Sequence, residues 1–163
     1  MLTTDGDILY AFQDGHYVLK FIGDVRLTLC STIDQHLRDI LERDDVTDTL
    51  VDLTETVNID STSLGLIGKL AVKSAKFDMP KPTIVSTNPD VTKILMAMGF
   101  DQVFLLLDEM PTNRQDLAKV PFVQESDDQV KARIIDAHRV LIDLNEQNRD
   151  EFKDLLTALE CNS

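Results

Sequence analysis

Several hydroxyl side chains cluster at the predicted start of a helix, in the segment Asp60-Ser61-Thr62-Ser63-Leu64-Gly65. The segment follows an apolar run, Thr49–Leu53, which is typical of a buried strand, and a polar connection at 54–58. Apolar residues with helical spacing then continue to Phe77. One hydroxyl that accepts a hydrogen bond from a free helix amide contributes about 1 kcal/mol, whereas a phosphoryl group adds about −1.5 to −2 charge. The pattern alone supports a helix cap and a phosphoacceptor equally well.

No other set of residues in the sequence has the spacing of a reactive site. His16, His36 and His138 have no partners at metal-ligand spacing, so we interpret each of them as structural or solvated. The segment Gly65–Leu70 has only two residues between its glycines and Leu after Lys, so it is not a phosphate-binding loop. The sequence therefore predicts no metal, no cofactor and no catalytic residue.

The charge of the chain excludes some classes of partner. The 163 residues include 29 acidic and 16 basic side chains, a net charge of −13. A phosphate backbone or an anionic membrane surface would repel such a chain, so we expect neither nucleic acid nor membrane as a direct partner. The first residues, 1–7, lack the pattern of a signal peptide, and Cys30 and Cys161 lie far apart. We therefore expect a cytoplasmic protein with reduced cysteines.

Strands alternate with helices through the first two thirds of the chain. Asp14-Gly15 separates two short strands, Ile8–Gln13 and Tyr17–Ile22, and such a pair is a strong hairpin signal. Helical spacing then runs over Leu27–Leu41, and its N-cap is predicted at Thr28 or Ser31.

Two further strands flank the last helix of this region. Thr83–Val85 and Val103–Leu107 are short apolar runs. Between them Asn88 is predicted as an N-cap, Pro89 as the first helical residue, and Gly99 as the left-handed residue that ends the helix. The order β-β-α-β-α-β-α-β indicates an α/β fold with a mainly parallel sheet.

The last third of the chain has a different pattern. Residues 108–124 show no clear period and are predicted as a connecting segment. Apolar stripes at Val130–Leu144 and Phe152–Leu159, separated by a polar break at 145–148, predict an αα-hairpin. We divide the chain into a domain at 1–107, the connection at 108–124 and a helical extension at 125–163. The apolar face of the extension must be buried within itself, on the core or in an oligomer formed through 125–160.

The segments Leu50-Val51-Asp52-Leu53-Thr54 and Ile59–Ile67 resemble the signature of the STAS domain of bacterial anti-sigma factor antagonists. The element order and the Asn-Pro-x-Val start of the third helix are also similar. The resemblance covers residues 1 to 107 and implies a mixed β-sheet with helices mainly on one face. In that family a Gly follows the hydroxyl pair, and Ser63 stands in its place here.

The resemblance implies a role in partner switching. The unphosphorylated antagonist binds an anti-sigma factor with a serine-kinase fold, phosphorylation releases it, and a PP2C-type phosphatase restores it. The phosphoacceptor by position is Ser61, with Thr62 and Ser63 as less favoured acceptors, and Asp60 to Gly65 form the partner-binding segment. The chain would be a substrate and not an enzyme. The alternatives are a ligand-sensing STAS module, and a scaffold that assembles through the helical extension, both without a phosphorylation switch.

Overall fold

The computed structural model describes residues 6–111 and 117–161 as an α/β fold with a helical hairpin at its C-terminal end. Its strands and helices are β1 (Asp7–Gln13), β2 (His16–Val25), α1 (Cys30–Glu42), β3 (Asp48–Ile59), α2 (Ser61–Lys76), β4 (Thr83–Val85), α3 (Pro89–Ala97), β5 (Leu105–Leu107), β6 (Ala118–Lys119), α4 (Asp127–Leu144) and α5 (Glu146–Cys161). Single 3-10 turns at Leu27–Leu29 and Phe100–Gln102 lie before α1 and after α3.

The sheet has the strand order β5-β4-β3-β2-β1-β6. Strands β2 to β5 are parallel neighbours, and β1 pairs antiparallel with both β2 and β6. Each parallel crossover steps to the next strand in the same direction, and right-handed crossovers then place α1, α2 and α3 on one face of the sheet. The predicted fold class, a mixed sheet with helices mainly on one face and an αα-hairpin, is confirmed.

Three predicted turn and cap signals appear in the structure. Asp14 and Gly15 both have positive φ, 53° and 84°, as the tight turn between β1 and β2 requires. The Asn88 side chain accepts a hydrogen bond from the amide of Asp90 at 2.9 Å, with Pro89 at the first helical position. Gly99 has a φ of 79° directly after α3. These short-range signals are reliable because a few backbone angles and one hydrogen bond determine them.

Two local predictions were wrong. The polar connection at 54–58 is the second half of β3, which pairs with β2 up to Ile59. Helix α1 has Leu29 as its N-cap with no side-chain hydrogen bond, so neither Thr28 nor Ser31 caps it; the 3-10 turn supplies the start instead. The predicted connecting segment at 108–124 also contains the short strand β6, which no sequence pattern indicated.

Helix α2 lies between the sheet and the C-terminal hairpin. Its buried residues include Leu64, Leu66, Ile67 and Leu70, which belong to the main core. Helix α4 packs on α2, and α5 packs on α4. Ala137, Leu141 and Phe152 of the hairpin are buried with that same core. The hairpin therefore covers its apolar face on its own domain. The oligomer through 125–160 stays a prediction, and residues 1–5, 112–116 and 162–163 of the predicted divisions lie outside the described residues.

Burial of His36 makes the stability of the domain depend on pH. The half-buried ring lies beside Tyr17, whose hydroxyl is hydrogen-bonded to His36 Nε2. Burial lowers the pKa of His36 below its usual value of about 6.5. As the pH falls through 6.5 toward the lowered pKa, the unfolded chain gains a proton at this residue before the folded chain does. We expect the free energy of unfolding to fall in that window by at most about 1.4 kcal/mol per pH unit from this group.

The variant His36→Gln tests this expectation because a side-chain amide does not titrate and can still form a hydrogen bond with the Tyr17 hydroxyl. Urea unfolding should show that the free energy of unfolding of the variant falls less than that of the wild type when the pH is lowered from 7 by about two units. At pH 8 the histidine is neutral in both states, so that measurement provides the reference. Equal pH slopes for the two proteins would contradict the assignment.

Candidate functional site

The predicted acceptor segment lies at the junction between β3 and α2. Strand β3 ends at Ile59, Asp60 is the N-cap with extended backbone angles, and Ser61 is the first helical residue. The Asp60 carboxylate accepts a hydrogen bond from the Ser63 amide at 2.8 Å. Asp60 therefore caps α2, and this capping bond does not use a hydroxyl of Ser61, Thr62 or Ser63.

The three hydroxyl residues differ in exposure. Ser61 is half-buried, Thr62 is 6% exposed and Ser63 is fully buried. The Ser63 hydroxyl has no hydrogen-bond partner within the described parts of the chain. Only the first of the three hydroxyls therefore lies where another molecule can approach it without movement of α2.

Ser61 is hydrogen-bonded to His138 of helix α4. The Ser61 Oγ atom lies 2.9 Å from His138 Nε2, and His138 Nδ1 lies 2.7 Å from the backbone oxygen of Ile134. Because a carbonyl oxygen only accepts, Nδ1 carries a proton, and in the neutral ring Nε2 accepts the proton of the serine hydroxyl. The structure thus joins the predicted acceptor to His138, a histidine that the sequence pattern predicts to be structural or solvated.

Phe152 of helix α5 packs against the His138 ring. The Phe152 ring meets it edge-on, with ring centroids 5.0 Å apart. His138 is 2% exposed, and Phe152 is 8% exposed. The imidazole is therefore held in one orientation by a backbone carbonyl, an aromatic ring and Ser61.

The rest of the predicted partner-binding segment is covered. Leu64 is fully buried in the core. Gly65 faces α4 so closely that a Cβ atom there would overlap the Ala137 carbonyl group and lie 2.7 Å from the Ala137 Cβ. A glycine at this crossing lets the two helix backbones approach each other.

A group of charged residues, the Asp34 cluster, joins α1, α2 and α4 next to this crossing. Asp34 is 1% exposed, and its carboxylate contacts Lys69 Nζ at 2.9 Å and Arg133 Nε at 3.1 Å. Lys69 also pairs with Asp136, and Arg133 donates two hydrogen bonds to Glu125, at 3.2 and 3.0 Å. Arg133 holds the pKa of the Glu125 carboxyl below its usual range. The cluster is therefore an ionic connection between the sheet-bound helices and the hairpin.

Neither a metal site nor a membrane-crossing helix is found among the described residues. Within 6–111 and 117–161, no three His, Cys, Asp or Glu residues are grouped so that they could hold a metal ion. In the same part of the chain, no helix has both the length and the apolar character that a membrane crossing needs. His16, at the exposed hairpin, pairs with Asp48 at 2.9 Å.

The comparisons with known proteins agree with this geometry. The family profile described as STAS domain matches residues 7–117. A similar solved structure is a crystal structure of an anti-sigma factor antagonist from Mycobacterium paratuberculosis, with 18% sequence identity and a TM-score of 0.54. The alignment covers 65% of this chain and 88% of that one, and at this identity it shows a shared fold. No curated protein matches the chain. The profile match spans more than half of the sequence, and the chain therefore belongs to the STAS domain family.

Proposed function

We propose that the protein is an anti-sigma factor antagonist whose binding to an anti-sigma factor is switched off by phosphorylation of Ser61. The observation that carries the proposal is the start of α2, where Asp60 caps the helix and leaves Ser61 as a half-buried hydroxyl. Family membership and the fold shared with an anti-sigma factor antagonist support the general role.

Ser61 is favoured over its neighbours because of burial. Thr62 and Ser63 are almost or fully inaccessible, so modification of either needs a movement of α2 that Ser61 does not need. The proposed partner is an anti-sigma factor of serine-kinase fold, which binds when Ser61 carries no phosphate. The same partner or a related kinase modifies Ser61, and a PP2C-type phosphatase reverses the change.

The physical basis of the switch is the cost of removing water from a charge. An unmodified helix start presents a small neutral hydroxyl that a partner surface can cover cheaply. A phosphoryl group adds about −1.5 to −2 charge that the same contact would have to desolvate or pair. The antagonist is then the substrate of the modification, and the reaction takes place in the kinase. A role beside sigma factors implies a cytoplasmic location.

Mass spectrometry of the protein from its native cells tests the proposed acceptor. We expect a phosphopeptide containing residues 60–69 with the phosphate on Ser61, and its loss in the Ser61→Ala protein. The variant Ser63→Ala is the matched control and should keep the phosphopeptide. A phosphate on Thr62 or Ser63 would show that this residue, and not Ser61, is the acceptor. If no phosphate were found on the segment under any growth condition, the ligand-sensor or scaffold alternative would be favoured.

A further inference from the structure

The C-terminal hairpin, α4 and α5 at Asp127–Cys161, covers the face of α2 that begins at Ser61. Three contacts follow each other along that face: Ser61 with His138, Gly65 with Ala137, and Lys69 with Asp136. They extend over more than two turns of α2. The start of this face, at Ser61, is where the proposed function places the protein partner.

The contact is fitted to α4 in shape and in charge. At Gly65 a side chain would collide with the α4 backbone, and at Gly68 a Cβ would lie 3.0 Å from Val140 Cγ1. On one side of the crossing, Lys69 bridges Asp34 and Asp136, and Arg133 bridges Asp34 and Glu125. On the other side, the side-chain amides of Asn145 and Asn148 donate to the Met98 carbonyl at 3.3 and 2.8 Å. The hairpin therefore has a specific seat on the core.

Many of these contacts are polar and lie near the surface. Lys69 and Arg133 keep 21% and 18% of their side chains exposed, and Asp136 keeps 46%. Polar groups that can return to water make an intrachain interface easier to separate than a wholly apolar one. The polar rim of the α4 seat can therefore return to water when the hairpin opens, whereas Ala137 and Leu141 are buried in the core.

We propose that the C-terminal hairpin is an intramolecular cover that competes with the protein partner for the face of α2 between Ser61 and Lys69. The proposal rests on the proposed function, because it takes that face to be the docking surface. Helix α4 and a partner cannot occupy Gly65 together, so only the open form binds. The apparent affinity for the partner is then the affinity of the open form multiplied by the fraction of molecules that are open.

A thiol introduced at position 61 reports on the cover without a partner. The background is the full chain with Ser61→Cys and Cys161→Ser, in which the remaining native thiol, Cys30, is buried. A maleimide with a long polyethylene glycol chain imitates the bulk of a protein, and N-ethylmaleimide reports the intrinsic reactivity of the introduced thiol. Labelling of Cys30 reports unfolding of the whole domain.

Two glycine substitutions form a matched pair in this background. Gly65→Ala and Gly68→Ala both gain the helix preference of alanine. Only the first places a Cβ against the α4 backbone, because the second meets side-chain atoms, Val140 Cγ1 at 3.0 Å and Phe100 Cζ at 3.8 Å. We expect the bulky maleimide to label the introduced thiol at least tenfold faster in Gly65→Ala than in Gly68→Ala, about 1.4 kcal/mol in the opening equilibrium. Cys30 should stay unlabelled in both.

A second pair of variants, in the same thiol background, changes α4 and keeps both glycines of α2. Ala137 is fully buried at the crossing, and Ala132 lies on the exposed side of α4. Ala137→Leu is expected to increase bulky labelling as Gly65→Ala does, and Ala132→Leu is expected to leave it unchanged. If Cys30 is labelled in Gly65→Ala, that variant is unfolded, and the comparison of Ala137→Leu with Ala132→Leu then tests the proposal.

Equal labelling rates within both pairs would overturn the proposal, since the cover would then not limit access to position 61. Faster labelling together with failure of native-cell extracts to yield an anti-sigma factor would overturn the proposed function and leave the cover standing. The purified anti-sigma factor should bind the Ala137→Leu protein at least tenfold more tightly than the Ala132→Leu protein. Equal affinities would overturn the competition and leave the proposed function intact.

Discussion

Replacement of Asp34 by alanine is expected to lower the free energy of unfolding by about 3 kcal/mol. The carboxylate is 1% exposed and lies within 3.1 Å of cationic atoms from α1, α2 and α4, supplied by Arg38, Lys69 and Arg133. Removal of Asp34 takes away the buried carboxylate that these cations share, and Lys69 and Arg133 then keep only their more exposed partners, Asp136 and Glu125. Urea unfolding followed by circular dichroism measures the change.

The control for this prediction is an ion pair at the surface. Asp45 pairs with Arg43 at 2.8 Å, and both side chains are about half exposed. Exposed pairs contribute little because water and salt already screen them. Asp45→Ala should therefore leave the unfolding midpoint almost unchanged. A comparable loss for the two variants would show that the Asp34 cluster is as well solvated as a surface pair.

The order of the elements could be predicted because it depends on local signals. Asp14-Gly15, Asn88-Pro89 and Gly99 each determine the backbone over two or three residues. The helical spacing of apolar residues predicts where the helices lie along the chain. For the observed strand order, right-handed crossovers place the three helices of this region on one face of the sheet.

The second half of β3 could not be predicted because its partners lie elsewhere in the sequence. Residues 54–58 are mostly polar, as in a loop. In the structure Thr56 is 2% exposed and its hydroxyl donates to the Phe21 carbonyl at 2.8 Å. Pairing with β2 therefore gives a polar segment the hydrogen bonds of a strand.

The partner of Ser61 could not be predicted for a similar reason. His138 lies on a helix with an ordinary apolar stripe, and nothing near it in sequence marks it as functional. Its role depends on how α4 docks across α2, which the glycines at 65 and 68 permit. Those glycines indicate close packing, because close approach of a second element is a common reason for glycine within a helix, but they do not identify which helix packs there.

The variant Ser61→Asp is expected to bind the anti-sigma factor at least a hundredfold more weakly than Ser61→Ala, about 2.7 kcal/mol in binding free energy. The carboxylate adds one negative charge next to Asp60 at the start of α2, where the partner must displace water. Alanine adds no charge to this surface, although it also removes the hydrogen bond to His138. Calorimetric titration of the purified anti-sigma factor measures the two affinities.

The matched control for this charge is Asn88→Asp, because it adds the same charge at the N-cap of α3 while an oxygen remains to cap the helix. The same titration should give similar affinities for Asn88→Asp and the unmodified wild type. If Asn88→Asp weakened binding as much as Ser61→Asp, the effect would come from overall charge repulsion and not from a docking surface centred on Ser61. If neither variant weakened binding, Ser61 would lie outside the interface, and the switch proposed for this residue would be wrong.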